Sequence, residues 1–193
     1  MKKTFVFLLA VVLLAACGEN SLTSYVNPMV GTDGHGHTFP GAIVPFGMIQ
    51  PSPDTRLDGW DGCSGYHYAD DTIYGFSHTH LSGTGCSDYG DVLIMPVSGD
   101  WVMESGKEGY KSHFSHANEV AQAGYYKVLL DRTNTTVELT ADRRVAYHRY
   151  TFSEADNGIA IDLRHRDVLL GGKIMMKDGL IVGWRERDRK SVV

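Results

Sequence analysis

The segment from Gly31 to Gly90 constrains the fold most. It holds twelve of the chain's 22 glycines and seven aspartates, a single arginine, Arg56, and no lysine or glutamate. Glycine inside a helix or strand costs roughly 0.5–1 kcal/mol relative to alanine, and carboxylates resist burial, so such a stretch predicts long loops rather than regular elements. Disorder is not the expectation. Phe39, Phe46, Trp60, Tyr66, Tyr68, Tyr74, Phe76 and Tyr89 supply the apolar surface that disordered segments lack.

From Val92 onward the style changes to short apolar runs: "VLIMPV", "YYKVLL", "TVELTA", "RVAYHRYTF", "IAIDL", "KIMM" and "LIVGW". Each has strand length, most are rich in valine, isoleucine or tyrosine, and turn residues separate them. Lys177-Asp178-Gly179 reads as a hairpin connection. In "TVELT" the period of two puts Val137 and Leu139 on one face, and in "VAYHRYTF" it sets Val145, Tyr147 and Arg149 against Ala146, His148 and Tyr150. The leader apart, no segment has the period of a long amphipathic helix. These features predict an all-β fold, an antiparallel β-sandwich with long Gly/Asp/aromatic-rich loops.

At the N-terminus, Lys2 and Lys3 precede an apolar run from Phe5 to Ala16. The run is shorter than the roughly 20 residues that span a bilayer and ends in small residues, as a removable export signal does. Leu14-Ala15-Ala16-Cys17 resembles a bacterial lipobox, so residues 1–16 are expected to be a lipoprotein signal peptide. Cys17 is then the lipidated membrane attachment point, residues 17–24 a short tether, and the location the bacterial cell envelope. The remainder has the size of one domain. A formal net charge of −5 and the lack of a basic stripe before the last ten residues argue against a nucleic-acid surface. Cys63 and Cys86 lie in a compartment where a disulfide would persist, but the sequence leaves their pairing open.

The loop "DTRLDGWDGCSGYHY", Asp54 to Tyr68, holds the candidate binding residues. A sugar surface needs a flat aromatic ring for the apolar C–H face of a pyranose and charged acceptors for its hydroxyls, and Asp58-Gly59-Trp60-Asp61 offers both. The competing reading has Trp60 anchoring the loop and the aspartates capping turns. His35/His37 and His78/His80 are i, i+2 pairs, a zinc or copper ligand type or simply hydrogen-bonded loop histidines. No Cys-x-x-Cys, His-Glu-x-x-His, nucleophile elbow or phosphate loop is present.

Four blocks in order, "YVNPMVGTDGHGHTFPGAIVPFGMIQPSPDT", "GWDGCSGYHY", "GFSHTHLSGTGCSDYGDVLIMP" and "HFSHANEVAQAGYYKVLL", resemble the N-terminal domain of glycoside hydrolase family 92, the exo-acting α-mannosidases, over residues 25–184. The resemblance implies a β-sandwich packed on an (α/α)6 barrel with the active site between them. It also implies calcium-dependent, inverting hydrolysis of mannose-containing glycans, with acid and base carboxylates on the barrel and sugar-subsite loops on the sandwich. Trp60 is then the expected platform, with Asp58, Asp61 and His78 as polar contacts. No catalytic residue and no calcium ligand set are assigned to this chain. Its last residues, "RERDRKSVV" (185–193), do not resemble the family's continuation and read as a charged tail left by truncation or a frameshift. A free-standing carbohydrate-binding lipoprotein without hydrolytic activity is the alternative.

Overall fold

The structure, a computed structural model, describes residues 21–99 and 109–188. The expected leader, Cys17 and residues 189–193 of the expected tail lie outside them. Of the tether region, Leu22–Tyr25 forms one exposed 3-10 turn, capped by the Ser21 hydroxyl, which accepts from the Thr23 N–H.

Among the described residues the regular elements are almost entirely strands: β1 (Ser52–Asp54), β2 (Thr72–Ile73), β3 (Gly75–Ser77), β4 (Leu93–Ser98), β5 (Ser112–His113), β6 (Glu119–Gln122), β7 (Tyr125–Leu130), β8 (Thr135–Asp142), β9 (Val145–Thr151), β10 (Asn157–Asp162), β11 (Leu169–Lys177) and β12 (Leu180–Arg187). All pairings are antiparallel. One four-stranded sheet runs β1-β3-β4-β10, the other is the meander β6-β7-β8-β9, and β2-β5 and β11-β12 form two-stranded pairs.

The two larger sheets share one core. Phe76, Leu93, Met95, Val97 and Ala160 come from the first, and Tyr126, Val128, Leu130, Val137 and Leu139 from the meander. The alternation read from sequence reappears as burial: Val137 and Leu139 point inward, while along β9 Val145, Tyr147 and Arg149 are exposed and Ala146, His148 and Tyr150 half-buried. The β11-β12 connection is the two-residue turn Asp178-Gly179, with φ of 51° and 77°. Positive φ at both positions gives the twist that suits a tight hairpin.

Strand β12 runs past Trp184, the expected end of the domain. Arg185 donates to the Leu163 carbonyl at 2.6 Å and pairs with Asp91, and Arg187 pairs with Asp88 and Asp167 and lies over the Tyr89 ring. In sequence these arginines read as part of a charged tail because their acidic partners sit in remote loops. Cys63 is buried, Cys86 half-buried, and both are free thiols.

Candidate functional site

The Asp54–Tyr68 loop starts where β1 ends and is fixed from both sides. Gly65 O accepts from the N–H groups of Thr55 (2.7 Å) and Arg56 (3.1 Å), and Arg56 grips Asp70 with two hydrogen bonds of 3.1 and 2.5 Å. Across the sandwich, the Tyr66 hydroxyl donates to Glu119 at 3.0 Å, and the Tyr126 hydroxyl donates to the same carboxylate at 2.6 Å. Burial first, and Glu119 second, push both phenol pKa values up, so these hydroxyls stay donors. Between the fixed ends the chain coils through successive turns, Gly62 N to Gly59 O, Cys63 N to Trp60 O and Gly65 N to Gly62 O. Only glycine fits at 62, where a Cβ would lie 2.3 Å from the Asp58 carbonyl oxygen.

This coil lifts Trp60 outward to 59% exposure. His35 lies 5.0 Å from its ring, tilted, and His37 lies 4.3 Å away, edge-on. Asp61 Oδ1 faces His35 Nδ1 at 2.7 Å and His37 Nε2 at 3.4 Å. The His35 hydrogen bond, chiefly, holds the Asp61 carboxyl below the usual carboxylate range against a smaller opposing effect of burial. Asp58 is exposed and lines a cavity of about 410 Å³ with Leu57, Gly59, Ser87, Arg166, Asp167, Val168 and Asp188. Buried Arg166 closes that wall by donating to Gly62 O at 2.8 Å and Ser87 Oγ at 2.9 Å.

The histidine pairs have different fates. His37, held at φ 53°, joins Trp60 and Asp61. His78 instead donates from Nδ1 to Val92 O at 2.7 Å and meets His148 Nε2 with its own Nε2 at 3.0 Å. Since a carbonyl only accepts, His78 Nε2 is the bare nitrogen, His148 Nε2 carries the proton, and His148 Nδ1 receives the Tyr150 hydroxyl at 2.8 Å. Both nitrogens of His78 are thus engaged within the protein. Burial pushes the pKa of His78 down and that of His148 down to about 4. His80 turns inward to Asp54 at 3.0 Å and Gln50 O at 2.8 Å.

The structure therefore gathers Trp60, Asp58 and Asp61 on one exposed loop and gives His78 other partners. The cluster also contains His35 and His37, which sequence spacing singled out without showing that they meet residues 24 and 26 positions away. Their donor set does not fit calcium, which takes six to eight oxygens, because two of the three side chains offer nitrogen.

The glycosyl hydrolase family 92 N-terminal domain matches residues 25–191. The chain belongs to glycoside hydrolase family 92. A family 92 α-mannosidase from Bacteroides thetaiotaomicron, solved in complex with mannoimidazole, is 42% identical, with a TM-score of 0.82 over 86% of this chain and 23% of that one. A family 92 inverting mannosidase from the same organism is 28% identical, with a TM-score of 0.72 over 89% of this chain and 24% of that one. An uncharacterized secreted glycosidase of Arthroderma benhamiae is 31% identical over 144 residues, 72% of this chain and 18% of its own length. The chain thus spans a quarter or less of the length of these family 92 relatives.

Proposed function

We propose that this chain supplies the sugar-recognising loops of an exo-acting α-mannosidase. The observation that carries this reading is the exposed Trp60 ring beside an ionised Asp61 in a family 92 domain. Trp60 covers the apolar face of a mannose unit, and Asp61 and Asp58 accept its hydroxyl protons. Because His35 keeps the Asp61 carboxyl ionised, Asp61 remains an acceptor in mildly acidic solution. His78 acts by position: it ties the segment after β3 to β9. Hydrolysis in this reading proceeds with inversion, draws its acid and base from an (α/α)6 barrel, and uses calcium held by ligands other than the His35–His37–Asp61 set. The α-mannosidase and inverting mannosidase that share this fold support it.

When this domain is joined in one polypeptide to a family 92 barrel, Trp60→Ala is expected to lower kcat/KM for an α-1,2-linked mannobiose at least tenfold. That corresponds to about 1.4 kcal/mol of transition-state binding. The melting temperature should hold, because the ring is mostly exposed. Activity lost only in step with lost folded protein would make Trp60 a loop anchor.

The leader reading adds that the protein is held at the envelope by lipid on Cys17. Globomycin is expected to make unprocessed precursor accumulate, and Cys17→Ser to release the chain from membranes. An equally membrane-bound serine variant rules out the lipid.

A further inference from the structure

We propose that His35, His37 and Asp61 form a binding site for a divalent transition ion of the zinc class. The inference does not rest on the sugar reading. One ligand atom from each residue, two imidazole nitrogens and a carboxylate oxygen, lies within 4.8 Å of the others. Two imidazoles and a carboxylate suit zinc, copper or nickel and not calcium.

Around a tetrahedral ion with bonds near 2.0–2.1 Å, neighbouring ligand atoms sit about 3.3 Å apart. His37 Nε2 and Asp61 Oδ1 are already 3.4 Å apart. His35 Nδ1, at 2.7 Å from the same oxygen, has only to swing outward, and its side chain is 71% exposed and free to do so.

The backbone makes His37 the fixed ligand. It is buried, it sits at φ 53°, and its carbonyl accepts from Gly83 N at 2.6 Å. Between the two histidines Gly36 presses so close to Gly31 that a Cβ would lie 2.2 Å from the Gly31 carbonyl oxygen, so only glycine fits there. Three protein ligands leave the fourth tetrahedral position for water or a ligand, the pattern of a site open to exchange. Trp60 walls one side and reports on occupancy.

The test is calorimetric titration of Zn²⁺ into the metal-stripped full chain, with Cu²⁺ quenching of tryptophan fluorescence as a second readout. One ion per chain is expected, with partial quenching that disappears in Trp60→Phe and no response to Ca²⁺ at the same concentration. His35→Ala and Asp61→Asn are each expected to weaken Zn²⁺ binding at least tenfold. Because His35 is exposed, its alanine variant should keep the metal-free melting temperature and decides the matter even if the Asp61 variant misfolds. Absence of Zn²⁺ binding, equal affinity in His35→Ala, or calcium binding as tight as zinc would each overturn the proposal.

Discussion

Asp54→Ala is expected to cost the sandwich about 3–5 kcal/mol, the range for removing one partner from a buried charge network. Asp54 is fully buried at the end of β1, where its two oxygens face His165 Nε2 at 2.5 Å and His80 Nε2 at 3.0 Å. Burial works against its ionisation, yet the two imidazoles, His165 foremost, hold its carboxyl well below the ordinary value of 3.8. Alanine would leave two buried imidazoles pointing at a void, in a domain whose whole stability is on the order of 5–15 kcal/mol. Urea unfolding of wild type and variant measures the loss, and a difference under about 1 kcal/mol would contradict the network's importance. The pH dependence has a definite sign. A carboxyl with a lowered pKa in the folded state stabilises in full above its ordinary pKa, and that contribution fades as pH falls through the lower folded value. In Asp54→Ala this part of the acid sensitivity should be gone.

Mannose release by the chain alone is expected to be absent. An inverting glycosidase needs an acid and a base with carboxyl groups roughly 6.5–9.5 Å apart, and the acid must keep its proton near neutral pH. Among the described residues, the carboxyl groups with displaced pKa values are Asp54, Asp61, Asp71 and Glu138, and each displacement is downward, the wrong direction for an acid. Asp54 is also sealed from any substrate. The chain should self-associate as well, since Leu170, Ile174, Met176, Leu180, Ile181 and Trp184 leave the β11-β12 hairpin exposed and apolar. The assay is incubation with an α-1,2-linked mannobiose and calcium, beside an intact family 92 enzyme. Calcium-dependent mannose release by the chain, abolished by Asp58→Asn or Asp61→Asn, would refute both the assignment of catalysis to the barrel and the acceptor role of these aspartates.

The sandwich was legible where burial writes a period into the sequence. All seven apolar runs after Val92 are strands, and in β7 and β8 one buried face imposes the alternation. "KIMM" and "LIVGW" read as strands by residue type and by the Asp178-Gly179 turn between them, since neither strand of that hairpin buries a face. Strands β1, β2, β3 and β5 left no such mark. They are two or three residues long, and Ser52-Pro53-Asp54 is buried through the partners of Asp54, not through apolar side chains. The loop holding Trp60 was legible from residue type alone. Its union with His35 and His37 was not, since contacts across irregular backbone follow no spacing rule. His78 was expected as a polar sugar contact or a hydrogen-bonded loop histidine, and no spacing could name its partner, because His148 lies 70 residues on.

The His78–His148 contact has a consequence for anyone handling this protein. It joins the segment after β3 to β9 only while His78 Nε2 stays bare, since a proton there sets two N–H groups face to face, and burial makes a charged His148 costly as well. Folding lowers the pKa of His148 from 6.5 to about 4, so its contribution is intact above 6.5 and drains away toward 4, at roughly 1.4 kcal/mol for each pH unit in that interval. Acid elution from an affinity resin, or a crystallisation screen weighted toward acetate buffers, would therefore loosen the sandwich at this seam. Buffers near neutrality are the protein's natural bench condition.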